Sequence, residues 1–340
     1  MLPIAIDVMS GDRAPREYIA GAFAALAEDA GLEALLVGDG GLIGAELAAC
    51  PAPLRARITA VPTTQVVGMS EHPREAVRRK KDSSMRVAVE LVKSGRAQAC
   101  VSAGNTGALT AISHFVLKTL PGVERAAIIS AIPAAHGHTH MLDLGANTKA
   151  SPAQLCQFAS MGAIISRDVY GIASPRIGLL NIGEEDIKGH EVVQAAHVLL
   201  LASGLNYVGF VEGDDIFSGD VDVVVTDGFT GNVALKTMEG LAALIADRMR
   251  REFHASWLDR LAGLVAYRVL GRVRESLDPR RYNGACMVGL AGIVVKSHGG
   301  ADGIAFSRAV ITAARAARCG LTGHIAQALA APQSIGSSTL

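Results

Sequence analysis

Small polar residues cluster in six short segments, and each segment directly follows a predicted strand. In chain order they are Asp7–Asp12, Ser102–Gly107, Asp143–Asn147, Asn181–Gly189, Asp227–Asn232 and Lys296–Gly300. In open α/β sheets, ligands bind beyond the carboxyl ends of the strands. Glycine in such loops lets the backbone approach a ligand closely, and hydroxyl and amide side chains donate hydrogen bonds to it. We therefore expect these segments to form the functional site.

The Ser102–Gly107 segment has the chemistry of an anion-binding loop. Ser102, Asn105 and Thr106 carry donors, Gly104 permits close approach, and the segment runs straight into a predicted helix. The first N–H groups of a helix have no intrahelical partner and favour anions. The segment matches neither the P-loop lysine pattern nor G-x-G-x-x-G, so it does not indicate a nucleotide. A capped helix start without a ligand is an equally good interpretation.

Two further side chains can stabilise negative charge. Lys188 follows the acidic run 184–186, and a cation held there can polarise a phosphate or a developing oxyanion. Most such runs are solvated loops with an incidental lysine. Asn232 lies at the start of a helix predicted over 231–249, where its amide can donate to a carbonyl oxygen that becomes negative. It can equally be a simple helix cap.

Other loop residues are candidates for substrate and phosphate binding. Asp7 and Asp12 could also bind a metal, but two carboxylates without a third ligand are more typical of turns and caps, so no metal is predicted. His298 is the histidine that we expect to act as an acid or a base. With Gly11 in the first loop and Asn147 in the third, these residues complete the predicted site.

Histidine and cysteine patterns offer little further chemistry. His136, His138 and His140 alternate and would share one face of a strand, but no carboxylate or cysteine joins them at a zinc spacing. A surface hairpin is therefore favoured over a metal site. The five cysteines form no C-x-x-C pair and have no obvious histidine partner, which disfavours a disulfide scaffold and a thiol nucleophile.

Composition excludes several classes of protein. The chain has 340 residues, of which 50% are hydrophobic, and its 32 basic and 32 acidic residues give a formal net charge of zero. That hydrophobic share is too high for an unfolded chain, and a dedicated nucleic-acid binder would show a basic domain. The sequence contains no apolar run of about 18 residues, so no membrane span is predicted. The N-terminal sequence lacks a secretory pattern, so we expect a cytoplasmic protein. We also expect no cofactor.

Strand and helix patterns alternate almost from end to end and predict a mainly parallel sheet with helices on both sides. Predicted strands are 4–8, 33–37, 57–61, 99–102, 127–131, 139–143, 176–181, 207–211, 221–226 and 293–296. Predicted helices include 83–93, 106–118, 151–166 and 191–200. We expect a single domain over residues 1–340, without repeats or linkers.

One segment, residues 242–281, breaks this rhythm and is predicted as a projecting amphipathic helical piece. Its part from 248 to 281 holds nine arginines and four acidic residues, a net charge of +5. It also holds the only tryptophan of the chain. These properties favour a surface that binds a membrane or an acidic partner, and a helix pair packed on its own domain or on a second subunit explains them equally well. The expected contact residues are Arg248, Arg251, Trp257, Leu261, Leu264 and Arg268.

The ordered set of motifs resembles the bacterial phosphate acyltransferase family called PlsX. The matching stretches are IDVMSGD, SSMRVAVELVKSGRAQACVSAGNTGAL, LDLGAN, LLNIGEEDIKG, VVVTDGFTGNVALKTMEG, YNGA and VVKSHGGAD, which together span Asp7 to Asp302. A single motif would be weak evidence, but the ordered set is highly specific. Ser10 stands where the family usually has glycine.

The resemblance implies a three-layer α/β/α fold of the isopropylmalate dehydrogenase and phosphotransacetylase type, usually in a homodimer that associates peripherally with anionic membrane. It also implies transfer of a long fatty acyl group from acyl carrier protein to inorganic phosphate. The acyl phosphate would feed a glycerol-3-phosphate acyltransferase. The family's leading catalytic candidates correspond to Lys188 and Asn232. We expect phosphate at the Ser102–Thr106 loop together with Lys188, and the oxyanion at Asn232.

Two kinds of alternative remain: an enzyme with the same fold and another substrate, in two forms, and a binding protein without catalysis. A phosphotransacetylase-like enzyme would use acyl-coenzyme A as its donor, and a decarboxylating dehydrogenase would need a nicotinamide and a metal site that the sequence does not show. A membrane-associated scaffold would bind carrier protein without catalysis.

Overall fold

Eleven strands form one continuous sheet in the computed structural model, which describes residues 2–185, 187–276 and 278–330. In chain order the strands are β1 (Leu2–Asp7), β2 (Leu32–Gly38), β3 (Ile58–Pro62), β4 (Ala99–Ser102), β5 (Ala127–Pro133), β6 (His138–Leu142), β7 (Ile177–Leu180), β8 (Tyr207–Val211), β9 (Val223–Val225), β10 (Ala285–Val288) and β11 (Ile293–Lys296). All predicted strands are present, with small shifts at their ends. The sequence does not predict β10, because its Ala-Cys-Met-Val run holds a single β-branched residue.

Helices connect most of the strands. They are α1 (Pro15–Glu28), α2 (Gly40–Ala48), α3 (Ala52–Arg55), α4 (Pro73–Arg79), α5 (Ser84–Lys93), α6 (Thr106–Leu117), α7 (Pro152–Asp168), α8 (Glu191–Leu201), α9 (Gly228–His254), α10 (Trp257–Ser276), α11 (Gly303–Arg318) and α12 (Leu321–Ala330). Their limits follow from local chemistry. The hydroxyl of Ser83 accepts the Arg86 N–H at the start of α5, and Gly95 follows its end with a φ of +73°.

The sheet is the middle of three layers. Helices α1, α2, α7, α8, α11 and α12 pack on one face, and α4, α5, α6 and the first half of α9 pack on the other. Successive strand residues divide between the two cores: Ile4 and Ile6 belong to the first and Ala5 to the second. Most strand pairs are parallel, so the predicted α/β class with a mainly parallel sheet is confirmed.

The sheet consists of two halves of opposite direction. Strands β6 to β10 run antiparallel to β1–β5 and β11, and the antiparallel pairs lie at the centre. One row of paired residues crosses all the strands: Ala60, Leu36, Ile6, Val101, Val295, Cys286, Ile129, Leu142, Val225, Leu179 and Phe210.

The candidate site residues leave this row in opposite directions. Asp7, Ser102 and Lys296 lie one residue beyond it in the first half, and Asp143 and Thr226 lie one residue beyond it in the second. The two sets of carboxyl ends are therefore offset by two residues, or about 7 Å along the strands. The loops that follow the carboxyl ends of the two halves therefore leave the sheet on opposite sides of this row.

Helices α9 and α10 form an antiparallel pair that corresponds to the predicted segment at 242–281. A Cβ added at Gly263 would lie 3.0 Å from Cδ1 of Phe253, which shows how closely the two helices pack. Helix α9 is longer than predicted, because it begins at Gly228 with the Asp227 carboxylate as its cap. Asn232 therefore lies in the second turn of the helix and is not the cap.

Candidate active site

A hydrogen-bonded network joins the ends of β1 and β4. The Ser102 hydroxyl donates to Oδ2 of Asp7 at 2.7 Å, and Oδ1 of Asp7 accepts the N–H groups of Met9 and Ser10 at 3.1 and 3.2 Å. The Gly104 N–H donates to the Ser102 hydroxyl at 3.2 Å. Asp7 and Ser102, two of the predicted binding residues, are fully buried. Their hydrogen bonds stabilise the conformations of the loops that follow β1 and β4.

The loop after β1 lies directly against the loop after β11. The Asp12 N–H donates to the Gly299 carbonyl at 2.9 Å, and a Cβ on Gly299 would lie 2.3 Å from Oδ2 of Asp12. Gly11 has a φ of +143°, and a Cβ there would lie 2.0 Å from the hydroxyl oxygen of Tyr18. Only glycine fits this position. Asp12 itself is exposed, so its carboxylate is available at the surface that the two loops form.

The loop after β4 leads into α6 as predicted. Oδ1 of Asn105 caps the helix by accepting the Ala108 N–H at 3.0 Å, while its Nδ2 donates to the Met69 and Glu71 carbonyls at 2.6 and 3.3 Å. The Asn105 side chain therefore fixes the helix start and a neighbouring loop. Thr106 opens the helix and is exposed. The backbone N–H groups at this helix start that lack an intrahelical partner are candidate anion donors.

Lys296 is a buried lysine that the sequence interpretation did not single out. Its side chain is 9% exposed, and its Nζ donates to the Ala103 carbonyl at 3.3 Å and to the Ser297 carbonyl. Burial lowers the pKa of Lys296 to about 8, and Asp12 and Asp7 oppose that shift. A lysine directly after three buried β-branched residues, Ile-Val-Val, was the available signal in the sequence.

His298 follows Lys296 closely and is exposed. Its backbone N–H donates to Oδ1 of Asn283 at 2.9 Å, and its Nδ1 accepts the Gly300 N–H at 3.0 Å. Because Nδ1 acts as an acceptor, Nε2 carries the proton of the neutral ring. His298 therefore presents a donor at the same loop surface as Asp12.

The loop after β6 surrounds a buried carboxylate. Asp143 accepts N–H groups of Ile128, Gly145, Ala146 and Asn147 at 2.7–3.2 Å. Burial raises the pKa of Asp143, and these hydrogen bonds oppose that rise. Nδ2 of Asn147 donates to Oδ2 of Asp143 at 2.9 Å and to the Ala126 carbonyl at 2.7 Å. Both amide hydrogens of Asn147, a predicted substrate-binding residue, are thus used within the protein.

Helix α9 starts in close contact with that loop. A Cβ at Gly228 would lie 2.5 Å from the Asn147 carbonyl oxygen, and one at Gly231 would lie 2.0 Å from the Asp143 carbonyl oxygen. The two glycines are therefore required for the approach. They place Asn232 so that a Cβ at Gly145 would lie 3.4–3.5 Å from its side-chain atoms. Asn232 is exposed, so a ligand can reach its side chain beside the Gly145 loop.

Lys188 lies in the loop between β7 and α8. The backbone holds the loop: the Lys188 carbonyl accepts Nδ2 of Asn181 at 3.1 Å and also Nε2 of Gln194. Gly189 has a φ of +90°, and a Cβ there would lie 2.4 Å from Oδ1 of Asn181. The Lys188 side chain is exposed, with Cγ against Gly183. Since β7 is next to β9 and parallel to it, Lys188 and Asn232 follow neighbouring strand ends.

The sequence predicts that Lys188 and the Ser102–Thr106 loop bind the same phosphate. Within one chain, the structure places them far apart. Strands β4 and β7 are six places apart in the sheet, or about 29 Å, and run in opposite directions. Helix α9 links the two halves electrostatically: the charge of Lys236, one helical turn beyond Asn232, lowers the pKa of Lys296.

The alternating histidines lie on the β5–β6 hairpin, but the prediction that this hairpin is at the surface is wrong. His136 is exposed in the turn between β5 and β6, but His140 is only 1% exposed on β6. Its ring centroid lies 4.7 Å from that of His138 and 4.2 Å from that of Tyr170. The prediction failed because β5 and β6 are central strands, covered by α7 on this side. In the described part of the chain, no three His, Cys, Asp or Glu side chains are grouped as metal ligands.

The residues expected to contact carrier protein or membrane lie on the α9–α10 pair. Arg248 pairs with Glu252 at 2.8 Å and Arg251 with Asp247 at 2.6 Å, each one turn away on α9. The side chain of Leu261 lies outside the described residues. Those whose side chains are exposed are Arg248, Arg251, Trp257, Leu264 and Arg268. None of the helices in the described ranges is both long and apolar enough to cross a bilayer.

Comparison of the fold with solved structures gives two phosphotransacetylases. The crystal structure of the Streptococcus pyogenes enzyme has a TM-score of 0.62 and 17% identity, over 93% of this chain and 94% of that one. The EutD phosphotransacetylase of Staphylococcus aureus has a TM-score of 0.60 and 15% identity over the same shares. At this identity the likeness shows a common fold.

Comparison of the sequence identifies the family. The family model described as a fatty acid synthesis protein matches residues 2–323. The phosphate acyltransferase of Alcanivorax borkumensis is 52% identical over 333 residues, 98% of both chains. That of Methylococcus capsulatus is 52% identical over 315 residues, 93% of both chains. The candidate loops all lie within the matched range, and the chain therefore belongs to the PlsX family of phosphate acyltransferases.

Proposed function

We propose that this chain transfers a long fatty acyl group from the thioester of acyl carrier protein to inorganic phosphate. The observation that carries the proposal is 52% identity, over 98% of both chains, to a protein named phosphate acyltransferase. The products are acyl phosphate and free carrier protein. The acyl phosphate is the substrate of a glycerol-3-phosphate acyltransferase in phospholipid synthesis. No cofactor is part of the reaction, because orthophosphate is itself an oxyanion nucleophile.

The chemistry requires two anionic centres to be held together. A phosphate oxygen attacks the thioester carbonyl carbon, the carbonyl oxygen becomes negative, and the C–S bond then breaks to release the carrier thiolate. The exposed amide of Asn232 is the donor that we assign to the carbonyl oxygen. One well-placed oxyanion donor is worth about 3–4 kcal/mol of transition-state stabilisation. Holding the reactants in line contributes up to about 7–11 kcal/mol.

Lys188 is the second catalytic residue of the proposal. It follows the strand next to the one that leads to Asn232, and its ammonium group is exposed at that end of the sheet. We assign it to the negative charge that develops on the acyl carbonyl and the leaving thiolate. Phosphate is assigned to the other set of loops, where the start of α6 offers backbone donors and the exposed His298 offers a side-chain donor.

The reaction is tested by trapping its product. Purified protein is incubated with a long-chain acyl carrier protein and orthophosphate, and hydroxylamine converts acyl phosphate to a hydroxamate. We expect hydroxamate to form in proportion to phosphate and to be absent without the protein. A rate independent of phosphate would contradict the proposal. Replacing the donor with acyl-coenzyme A measures the phosphotransacetylase-like alternative in the same assay.

The two catalytic assignments are tested by substitution. We expect Lys188→Ala and Asn232→Ala each to reduce kcat by about 100-fold or more, since each removes a transition-state donor. Both side chains are exposed, and the Lys188 loop is held through its backbone, so both variants should fold. Lys93→Ala, an exposed lysine at the end of α5, is the control. Turnover near the wild-type rate in either catalytic variant would refute its assignment.

The α9–α10 pair is the surface that we assign to contacts outside the chain. Apolar side chains that are normally buried are exposed on it, among them Leu244, Trp257, Leu264 and Val265, which are 64–86% exposed. Acidic carrier protein and anionic lipid both complement the basic charge of the segment. Peripheral membrane association and a homodimer are the corresponding proposals.

These contacts are separated by three measurements. Sedimentation of the protein with vesicles of anionic or neutral lipid tests membrane binding, and Trp257→Ser should reduce it. Affinity for carrier protein at low salt tests docking, and reversal of Arg248 and Arg268 to Glu should weaken it in a salt-dependent way. Analytical ultracentrifugation gives the oligomeric state. An affinity for carrier protein unchanged by the reversals at low salt would place docking elsewhere.

A further inference from the structure

Lys296 is a buried ammonium group without a contact counter-ion. Its only hydrogen-bond acceptors in the described structure are the carbonyls of Ala103 and Ser297, one in each of two neighbouring loops. No carboxylate lies within ion-pair distance of its Nζ in the described part of the chain, although Asp7 and Asp12 are close enough to favour its charge. Burial without a contacting carboxylate destabilises the charged form of Lys296, because burial removes water from the ammonium group.

The charge of a second lysine acts on Lys296 and increases that cost. Lys236, on α9, is exposed and lowers the pKa of Lys296 through like-charge repulsion. Its own ammonium group pairs with Glu239 at 2.6 Å. Two cations whose charges repel each other favour a nearby anion. The groups facing Lys296 are Asp7 and Asp12 from the loop after β1 and Lys236 from α9.

The surroundings of Lys296 add unused hydrogen-bonding groups. The start of α6 follows Ala103 by three residues, and its first N–H groups point away from the helix. Ser10 packs against Gly104, where an added Cβ would lie 2.7 Å from its Cβ. The Ser10 hydroxyl is buried and has no hydrogen-bond partner among the described residues. Backbone and hydroxyl donors beside two lysines suit a small, highly charged anion.

We propose that Lys296 and Lys236 bind the orthophosphate acceptor between them, beside the start of α6. The proposal deepens the proposed function and rests on it for the identity of the anion. It assigns the phosphate cations to β11 and α9, whereas the sequence had paired the phosphate loop with Lys188. Asn232, one turn before Lys236, is then adjacent to the phosphate along the same helix face.

Phosphate kinetics test this assignment. Lys236→Met should raise the KM for phosphate at least tenfold, because it removes a charge-assisted contact, and should leave the KM for the acyl thioester within twofold. Lys296→Met should do the same, and Lys296→Arg should retain most of the phosphate affinity. Lys93→Met, on the surface of α5, is the matched control. An unchanged phosphate KM in Lys236→Met, or an equal rise in both KM values, overturns the proposal.

A pH profile gives a second readout. The pKa of Lys296 near 8 predicts that the phosphate KM of the wild type rises between pH 7.5 and 9 as the ammonium loses its proton. Arginine keeps its charge throughout, so Lys296→Arg should show no such rise. Parallel profiles in the two proteins overturn the role of Lys296. If Lys296→Met does not fold, the exposed Lys236→Met and the arginine variant decide the question.

Direct phosphate binding separates this proposal from the proposed function. Line broadening of orthophosphate in ³¹P NMR, measured without any acyl donor, should be lost in Lys236→Met and kept in Lys93→Met. Wild-type binding of this kind without formation of hydroxamate would refute the acyl transfer and leave the phosphate site standing. Formation of hydroxamate with equal phosphate binding in both variants would refute the phosphate site alone.

Discussion

The buried His140 should make the fold sensitive to mild acid. Burial lowers the pKa of His140 from 6.5 to about 3, and the neighbouring His138 adds to the shift. Asp222 opposes it, and the hydroxyl of Ser166 lies 2.8 Å from Nδ1. The unfolded chain therefore binds a proton below pH 6.5, whereas the folded protein does not until about pH 3. The stabilisation is present above pH 6.5 and is lost as the pH falls.

The size of the effect follows from the shift. Each pH unit between the two pKa values costs about 1.4 kcal/mol of unfolding free energy. Between pH 7 and pH 5, His140 should therefore contribute a loss of about 2 kcal/mol. Carboxylates contribute little over that range, because their ordinary pKa values lie near 4.

The matching variant is His140→Asn, whose amide can replace Nδ1 as the partner of Ser166 but does not titrate. We expect urea unfolding of this variant to lose about 2 kcal/mol less between pH 7 and pH 5 than the wild type does. His136→Asn, in the exposed turn, should follow the wild type. Equal losses in His140→Asn and wild type would refute the burial argument.

Two further predictions concern packing around the site. Gly231→Ala should lose about 3 kcal/mol of stability and most activity, since its Cβ would lie 2.0 Å from the Asp143 carbonyl oxygen. Gly240→Ala, in an open position of the same helix, should gain about 0.5–1 kcal/mol, and equal stability of the two by thermal unfolding would contradict the contact. Ser102→Ala should cost about 1–3 kcal/mol in urea unfolding, because buried Asp7 loses its hydroxyl donor; a cost below 0.5 kcal/mol would show that water replaces it.

Local signals account for most of what the sequence could predict. β-branched runs and caps such as Ser83 have short-range causes, so strand and helix limits were found to within a few residues. β10 was not found, because its Ala-Cys-Met-Val run holds a single β-branched residue and one of its two partners, β5, is distant in the chain. The reversal of strand direction at the centre is a property of topology, which local patterns do not contain.

The direction of a polar side chain is the other property that sequence leaves open. Asn105, Asn147 and Asn232 are all loop or helix-start asparagines in recognised motifs. The side chains of the first two donate to backbone carbonyls of neighbouring segments, whereas the third is exposed. Lys296 shows the converse, because a lysine that ends a buried strand looks in sequence like an ordinary strand terminus. Only the structure shows that it is buried and that its acceptors are the carbonyls of Ala103 and Ser297.

The offset of the two half-sheets has a consequence for the proposed chemistry. Phosphate is highly charged, and the acyl oxygen becomes negative during attack, so separate donors must hold two anions close together. On α9, Asn232 and Lys236 are one turn apart, which separates their Cα atoms by about 6 Å along the axis. Such spacing suits a phosphate oxygen and a carbonyl carbon about 3–3.5 Å apart, each held by its own donor. Because both donors lie on one helix, the helix geometry fixes that separation, which loops alone would leave free to vary.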